Sequence, residues 1–358
     1  MQDMTGELAA RVRAAAARKQ PLRIRAGGTK DFYGNAPRGE VLDPRGHSGI
    51  VDYEPTELVA TVRCGTPLAE LEAALDVRGQ MLAFEPPHFG AGATVGGCVA
   101  AGLAGPRRAS FGATYGGVRD FMLGAKMIDG RGQLLSFGGT VMKNVAGYDL
   151  ARALAGSLGI LGIIVEVSVK VLPKPLYEAT LRMDLAESAA LERVNEWAGL
   201  PLPISATAWH GGVLHVRLSG ADAAVHAATL RLGGETVDST RADAFWRGIR
   251  EHTDPFFAVN APLWRLSLPS TAPPLPLDGE QLVEWGGALR WLRSNLPAGH
   301  LRERAAAAGG HATLFRGGDR ASGAFTPLQA PVHAIHKRLK AEFDPLGLFN
   351  PGRMYENL

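Results

Sequence analysis

Cysteine is nearly absent from this chain: Cys64 and Cys98 are its only two thiols in 358 residues. Two cysteines exclude a disulfide scaffold and a structural zinc site, and an iron–sulfur cluster usually needs four. A bias to one sign of charge is also missing, because 38 Lys and Arg face 35 Asp and Glu for a net +3. That balance leaves no electrostatic footprint for nucleic acid. The longest uncharged run, residues 86–106, is broken by Gly90, Gly92, Gly96, Gly97, Gly102 and Gly105, so it reads as loop-rich and not as a membrane span. Asp3, Glu7, Arg11 and Arg13 leave no apolar signal core at the N-terminus, and the chain is expected in the cytoplasm. Internal repeats and low-complexity tracts are lacking as well.

What is present is a mixed pattern of short apolar strands and glycine turns, long enough for two domains. Strands are expected at 22–25, 50–53, 59–63, 121–128 and 163–172. Thr66 as N-cap and Pro67 at the first helical position start a helix that carries Leu68, Leu71 and Leu75 on one face. Pro173-Lys174-Pro175 interrupts regular structure and marks a boundary. Beyond it, helices at 188–198, 221–232 and 301–308 and strands at 204–209, 213–218, 263–268, 289–292 and 312–315 suggest an antiparallel sheet with helices on one face.

Polar residues among glycines point to a site. Phe137 to Asp149 places Lys143, Asn144, Tyr148 and Asp149 around Gly147 in a chain rich in alanine and leucine, where such groups need polar partners. The segment Arg23 to Gly34 runs a strand into Arg25-Ala26-Gly27-Gly28-Thr29-Lys30, whose consecutive backbone N–H groups suit a pyrophosphate. It matches neither a Walker A loop nor a Gly-x-Gly-x-x-Gly turn. Thr94-Val95-Gly96-Gly97 repeats the theme, with Arg107 and Arg108 able to meet an anion. Gly156, Gly159 and Gly162 precede a strand instead of following one, which disfavours a Rossmann turn. Arg265 and Arg316 sit beside aromatic residues in strand patterns and suit a carboxylate. His210 and His215 have no acidic residue between them, and strand alternation would send their rings to opposite faces, so no metal site is expected.

In their order along the chain, Pro21 to Thr29, Thr94 to Gly97, Gly156 to Val165 and the closing Phe343 to Arg353 resemble the PCMH-type, or vanillyl-alcohol oxidase, family of FAD-binding flavoproteins. Gly105 to Arg108, Met142 to Asp149, Pro262 to Ser267, Glu284 to Trp291 and His311 to Arg316 are similar to the short FAD-binding subunits of bacterial glycolate oxidases. The resemblance implies an α+β fold: an FAD domain at 1–175, an inserted α+β cap at 176–325, and a segment at 326–358 returning to the FAD domain. It implies FAD contacts at Arg25 to Lys30, Thr94 to Gly97, Arg107, Asn144, Gly147, Tyr148, Gly156, Gly159, Ile164 and Asn350. The FAD is expected to be noncovalent, although His88 and Cys64 are conceivable attachment points.

The activity implied is oxidation of glycolate to glyoxylate, in a complex with a larger FAD-binding catalytic subunit and an iron–sulfur subunit. Those partners would carry any peripheral attachment to the inner membrane. For this chemistry Arg265 and Arg316 are expected to grip the substrate carboxylate, and His311 to take the hydroxyl proton. The metal-binding His-x-Gly-Asp-Gly-Asn-x-His segment of the larger 2-hydroxy-acid dehydrogenases does not occur. Two other readings therefore stand beside the first: an autonomous 2-hydroxy-acid dehydrogenase, and an electron-transfer or assembly subunit whose flavin meets no substrate. An NADPH-dependent reductase on the same fold is a further one, which the cap sequences argue against.

Overall fold

A computed structural model of the protein describes residues 3–107, 116–140, 149–258 and 260–358. Arg108, Lys143, Asn144, Gly147 and Tyr148, singled out above, lie outside the described residues.

Two antiparallel sheets organise these residues. The first runs, in spatial order, Ile50–Glu54, Val59–Arg63, Ile163–Lys170, Met122–Ile128 and Leu134–Gly138. Its central strand, Ile163–Lys170, is buried at six of eight positions, which explains an apolar run without strict alternation. A small parallel pair, Leu22–Ile24 with Glu40–Leu42, sits apart from it. The second sheet has eight strands between Tyr177 and Arg316, with Val213–Gly220, Ile204–His210, Glu280–Glu284 and Leu289–Arg293 at its centre and Leu263–Ser267 next to the edge strand His311–Arg316.

Helices cover both faces of the second sheet, which corrects the expectation of one. On one face, Glu187–Ala198 and Asp222–Leu232 pack on Leu181, Leu214, Val216 and Leu218, while Ala298–Ala307 sets Leu301 and Ala305 against Trp264, Leu266 and Leu314. On the other face the Ser239–Glu251 helix places Trp246 over Ala206 and Ala208. Trp246 donates its Nε1–H to Thr180 Oγ1 at 2.9 Å. This same face meets the first half of the chain, where Tyr33, Ala101 and Leu103 join Phe257, Trp285, Trp291 and Phe315 in one apolar cluster.

Thr66 does not cap the Leu68–Asp76 helix; Pro67 holds that place, and the Thr66 hydroxyl bonds the Arg63 carbonyl at 2.6 Å and accepts the Gly49 amide at 2.8 Å. The alternation argument for His210 and His215 also fails. Gly211 and Gly212 turn the chain between two paired strands, and the pairings His210 with Val213 and Ala208 with His215 place both rings on one face. They keep separate partners there: His210 meets Glu280 at 3.0 Å and His215 lies on the Phe245 ring.

Candidate functional site

The strand Leu22–Ile24 delivers the chain into a turn at Gly27-Gly28, and this turn forms one wall of a groove. Gly27 packs backbone to backbone on Gly92, so that a Cβ at 27 would overlap the Gly92 carbonyl oxygen. Gly28 adopts φ +68°, a conformation that favours glycine. Arg23, Arg25, Lys30, Arg353 and Asp31 are the charged residues lining this groove, four cations against one carboxylate. Asp31 Oδ2 accepts from Arg25 Nε at 2.6 Å and from Arg23 Nη2 at 2.7 Å. Lys30 donates to the His88 carbonyl at 3.2 Å, and burial lowers its pKa. Arg353 bonds the Asp31 carbonyl at 2.9 Å, and burial brings its pKa down to about 10.

A second pocket shares Ile24, Ala26, Thr94, Gly97, Ala100, Leu158 and Asn350 with the first and extends it past Cys64, Gly96, Gly159, Gly162 and Ile164. The two are one continuous groove, positive at its first end and lined by glycine and apolar atoms at the other. A ligand with a diphosphate and a flat apolar ring fits that division, because small residues admit close approach and the cation excess favours the anion. Asn350 joins the walls: its Oδ1 accepts the Ile24 amide at 2.8 Å and its Nδ2 donates to the Leu158 carbonyl at 2.7 Å.

Of the residues expected to contact a cofactor, Arg25, Ala26, Gly27, Gly28, Thr29, Lys30, Thr94, Gly96, Gly97, Gly159, Ile164 and Asn350 therefore line one groove. Val95 is instead buried as the first residue of the Val95–Ala101 helix, a helix the loop reading of 86–106 did not anticipate. Gly156 backs onto Gly102 at the end of that helix, where a Cβ on Gly102 would sit 2.8 Å from the Gly156 Cα. Arg107 is drawn away into a buried ionic cluster, where its backbone amide and Nε bond Glu85 at 2.8 and 3.3 Å and its Nη2 pairs with Glu178. Arg217 Nη2 reaches the same Glu85 at 2.9 Å. Burial pushes the Glu85 carboxyl up, but Arg217 and Arg107 outweigh it and hold the pKa at about 2.

The second constellation lies on the sheet face turned toward the groove. Arg265 stands opposite Thr313 and Trp291, with its guanidinium 5.3 Å from the Trp285 ring centre. Regular alternation would place Arg316, three residues after Thr313, on the opposite face. A register shift between Leu263 and Trp264 pairs Arg316 with Leu263 and returns it to the face of Arg265. Its guanidinium lies 4.4 Å from the centre of the Phe32 ring and 5.5 Å from that of Phe89.

His311 stands at the other end of that strand, five residues from Arg316, a separation of roughly 16 Å along extended chain. Burial and then Arg265 lower its pKa, yet the residue is exposed on the outermost strand. Two titratable groups that sequence reasoning passed over lie deeper. Glu284 is buried, accepts the Trp291 Nε1–H at 2.6 Å, and burial pushes its pKa up to about 7. His252 stacks on Phe257 at 3.9 Å, with Trp291, Phe89 and Phe315 around it. A lone histidine at a helix end carries no motif, so no signal in the sequence marks it.

Comparison with known proteins decides the family. A model of the FAD binding domain matches residues 3–138. Glycolate oxidase subunit GlcE of Escherichia coli (strain K12) is 50% identical over 356 residues, covering 99% of this chain and 99% of that protein. The chain belongs to this FAD-binding family. Glycolate oxidase subunit GlcD of Bacillus subtilis (strain 168) is 33% identical over 163 residues, 45% of this chain and 34% of that one. A D-lactate dehydrogenase of Anaerostipes hadrus is 35% identical over 126 residues, 35% of this chain and 25% of its own length. Among solved structures, alkyldihydroxyacetonephosphate synthase superposes with a TM-score of 0.66 at 14% identity, covering 97% of this chain and 74% of that one, a likeness of fold. The fold is thus the expected α+β, PCMH-type FAD-binding architecture, and FAD is the cofactor of this oxidoreductase family member. The groove's glycine-lined cationic end and its apolar end fit that cofactor.

Proposed function

We propose that this chain is the FAD-binding subunit of a glycolate-oxidising complex, converting glycolate to glyoxylate and passing electrons through FAD to an iron–sulfur subunit beside a larger FAD-binding catalytic subunit. The observation that carries this reading is the 50% identity to a glycolate oxidase subunit over 99% of both chains. A separate iron–sulfur chain follows from the cysteines, since both are free and buried here.

In this reading, residues 1–175 with 326–358 form the FAD domain and 176–325 the cap. The turn Arg25 to Lys30 cradles the diphosphate, and Thr94, Gly96, Gly97, Gly159 and Ile164 line the remainder of the groove. FAD is held noncovalently: Cys64 lies on the groove wall with its pKa raised by burial, and His88 Nε2 is paired with Glu72 at 2.8 Å. FAD held in this groove would supply the hydride acceptor for the substrate carbon. Arg265 and Arg316 hold the substrate carboxylate from the cap. Both guanidiniums rest on aromatic rings, which orient them while leaving their donors for an anion. Attachment to a membrane belongs to the partners; among the described residues no helix is long and apolar enough to cross one.

The visible spectrum of the purified chain, recorded before and after anaerobic glycolate, tests the reading. Oxidised-flavin bands that bleach are expected. Bands that persist would favour the electron-relay reading, which the missing metal segment supports, and a colourless protein would overturn FAD binding by this chain. Arg265→Ala removes a charge-assisted contact worth about 1.5–3 kcal/mol, so KM for glycolate should rise roughly 10- to 150-fold. An unchanged KM would move carboxylate recognition elsewhere.

A further inference from the structure

The carboxylate site proposed above leaves the proton of the substrate hydroxyl without a destination. The ring of Phe89 joins three groups around that site: Lys30 Nζ lies 5.5 Å from its centre, the Arg316 guanidinium 5.5 Å, and the His252 ring 5.0 Å. His252 also touches Trp291, the cross-strand neighbour of Arg265, with ring centres 4.6 Å apart. The imidazole is therefore wedged among rings that border both arginines. Its Nδ1 is buried and has no hydrogen-bond partner among the described residues, an uncommon state for a buried polar atom.

Burial first, then Arg316 and Arg265, push the His252 pKa well below that of a free imidazole, so the ring is neutral at neutral pH. The other charged groups nearby are engaged. Lys30 bonds the His88 carbonyl, Glu251 accepts the His88 and Phe89 amides at 3.0 and 2.9 Å, Asp254 accepts the Phe256 amide at 2.9 Å, and Arg293 pairs with Glu280. The two arginines are the charges that act against an imidazolium. A carboxylate between them cancels that repulsion and adds attraction of its own.

We propose that a small 2-hydroxy monocarboxylate bound at Arg265 and Arg316 raises the basicity of His252, so that Nδ1 takes the hydroxyl proton, and that a 2-oxo monocarboxylate bound in the same place holds Nδ1 protonated. This rests on the carboxylate site of the preceding section. In the forward reaction the hydroxyl proton passes to Nδ1 while the C–H bond gives its electron pair and hydrogen to FAD and the C=O bond forms. His252, and not the exposed His311, is the residue that takes the proton. In the product state the imidazolium donates to the new carbonyl oxygen.

Oxamate, a 2-oxo monocarboxylate with no hydroxyl to oxidise, reproduces that product state. Calorimetric titration of the flavin-loaded protein with oxamate near neutral pH, in two buffers of different ionisation heat, measures the protons taken up. Net uptake is expected in the wild type and in His311→Asn, with loss of uptake but retained binding in His252→Asn. Uptake that persists in His252→Asn, or wild-type binding without uptake, overturns the proton step and leaves the carboxylate site intact. Failure of oxamate to bind overturns the carboxylate site itself. Because His252 is packed among rings and its replacement can impair folding, nitrogen-labelled histidine spectra of the wild type provide a second measurement. One neutral imidazole should become protonated on oxamate binding, and no change in any ring would overturn the proposal.

Discussion

Single residues set the groove's shape and the charge state of the cap face. Gly27 meets Gly92 backbone to backbone, so even one methyl group displaces the cradle. Gly27→Ala should cost about 1–3 kcal/mol of stability and lower FAD occupancy, which the ratio of flavin to protein absorbance measures. Full occupancy at wild-type stability would remove the close-approach argument. Glu284 makes a pH prediction. Burial raises its pKa from 4.5 to about 7, so the folded chain holds this proton more tightly than the unfolded chain. Its stabilising contribution is therefore complete below the unfolded value and is lost as pH rises to about 7, on the order of 3 kcal/mol in all. Glu284→Gln cannot ionise, and its Tm minus that of the wild type should grow across that window; a flat difference would mean the carboxyl titrates normally. The glycines were legible in the sequence because close backbone approach tolerates little else. Glu284 and His252 were not, because only packing around an isolated polar residue reveals what it does.

At the level of elements, the C-terminal tail is a structural clamp on the groove proposed to hold FAD. Lys340, buried on the Ala330–Phe343 helix, donates to the Ile160 and Phe349 carbonyls at 2.6 and 2.9 Å and to Asp344 at 2.7 Å. Seven residues after the helix, Asn350 bonds the Ile24 amide and the Leu158 carbonyl, uniting segments more than 100 residues apart. Asn350→Ala leaves both groups without this partner, at about 1–3 kcal/mol each. Thermal unfolding should shift down and FAD should be lost together; lost FAD with unchanged Tm would make Asn350 a direct ligand and not a clamp. Periodicity predicted most strands of the eight-stranded sheet to within a residue or two. It missed Ser239–Glu251, although Ala242, Phe245, Trp246 and Ile249 recur there at helical spacing, and Val95–Ala101, where glycine and alanine mask a short helix.

At the scale of the whole molecule, the second sheet is pinned to the first half of the chain by buried charges. Glu85, at φ +46°, joins Arg107 of its own half to Arg217 of the sheet, while Glu251 holds the amides of His88 and Phe89. Removing one member of such a cluster strands the others in a low-dielectric interior. Glu85→Ala should therefore destabilise by about 3–5 kcal/mol in chemical denaturation, and a loss under 1 kcal/mol would show that water reaches the cluster. Arg107 illustrates the reach of sequence reading: its charge and glycine-rich context suggested an anionic ligand, yet the residues that claim it lie 22 and 71 positions away. The α+β class, the family and the glycine turns of the groove could be read along the chain, because each is encoded locally by spacing and by residues that permit unusual backbone. Only folding brings Arg316, through a strand irregularity, to the face of Arg265, sets His252 beside them, and turns Arg107 away from the groove. Those outcomes depend on register and on contacts between distant segments, which no local pattern of residues specifies.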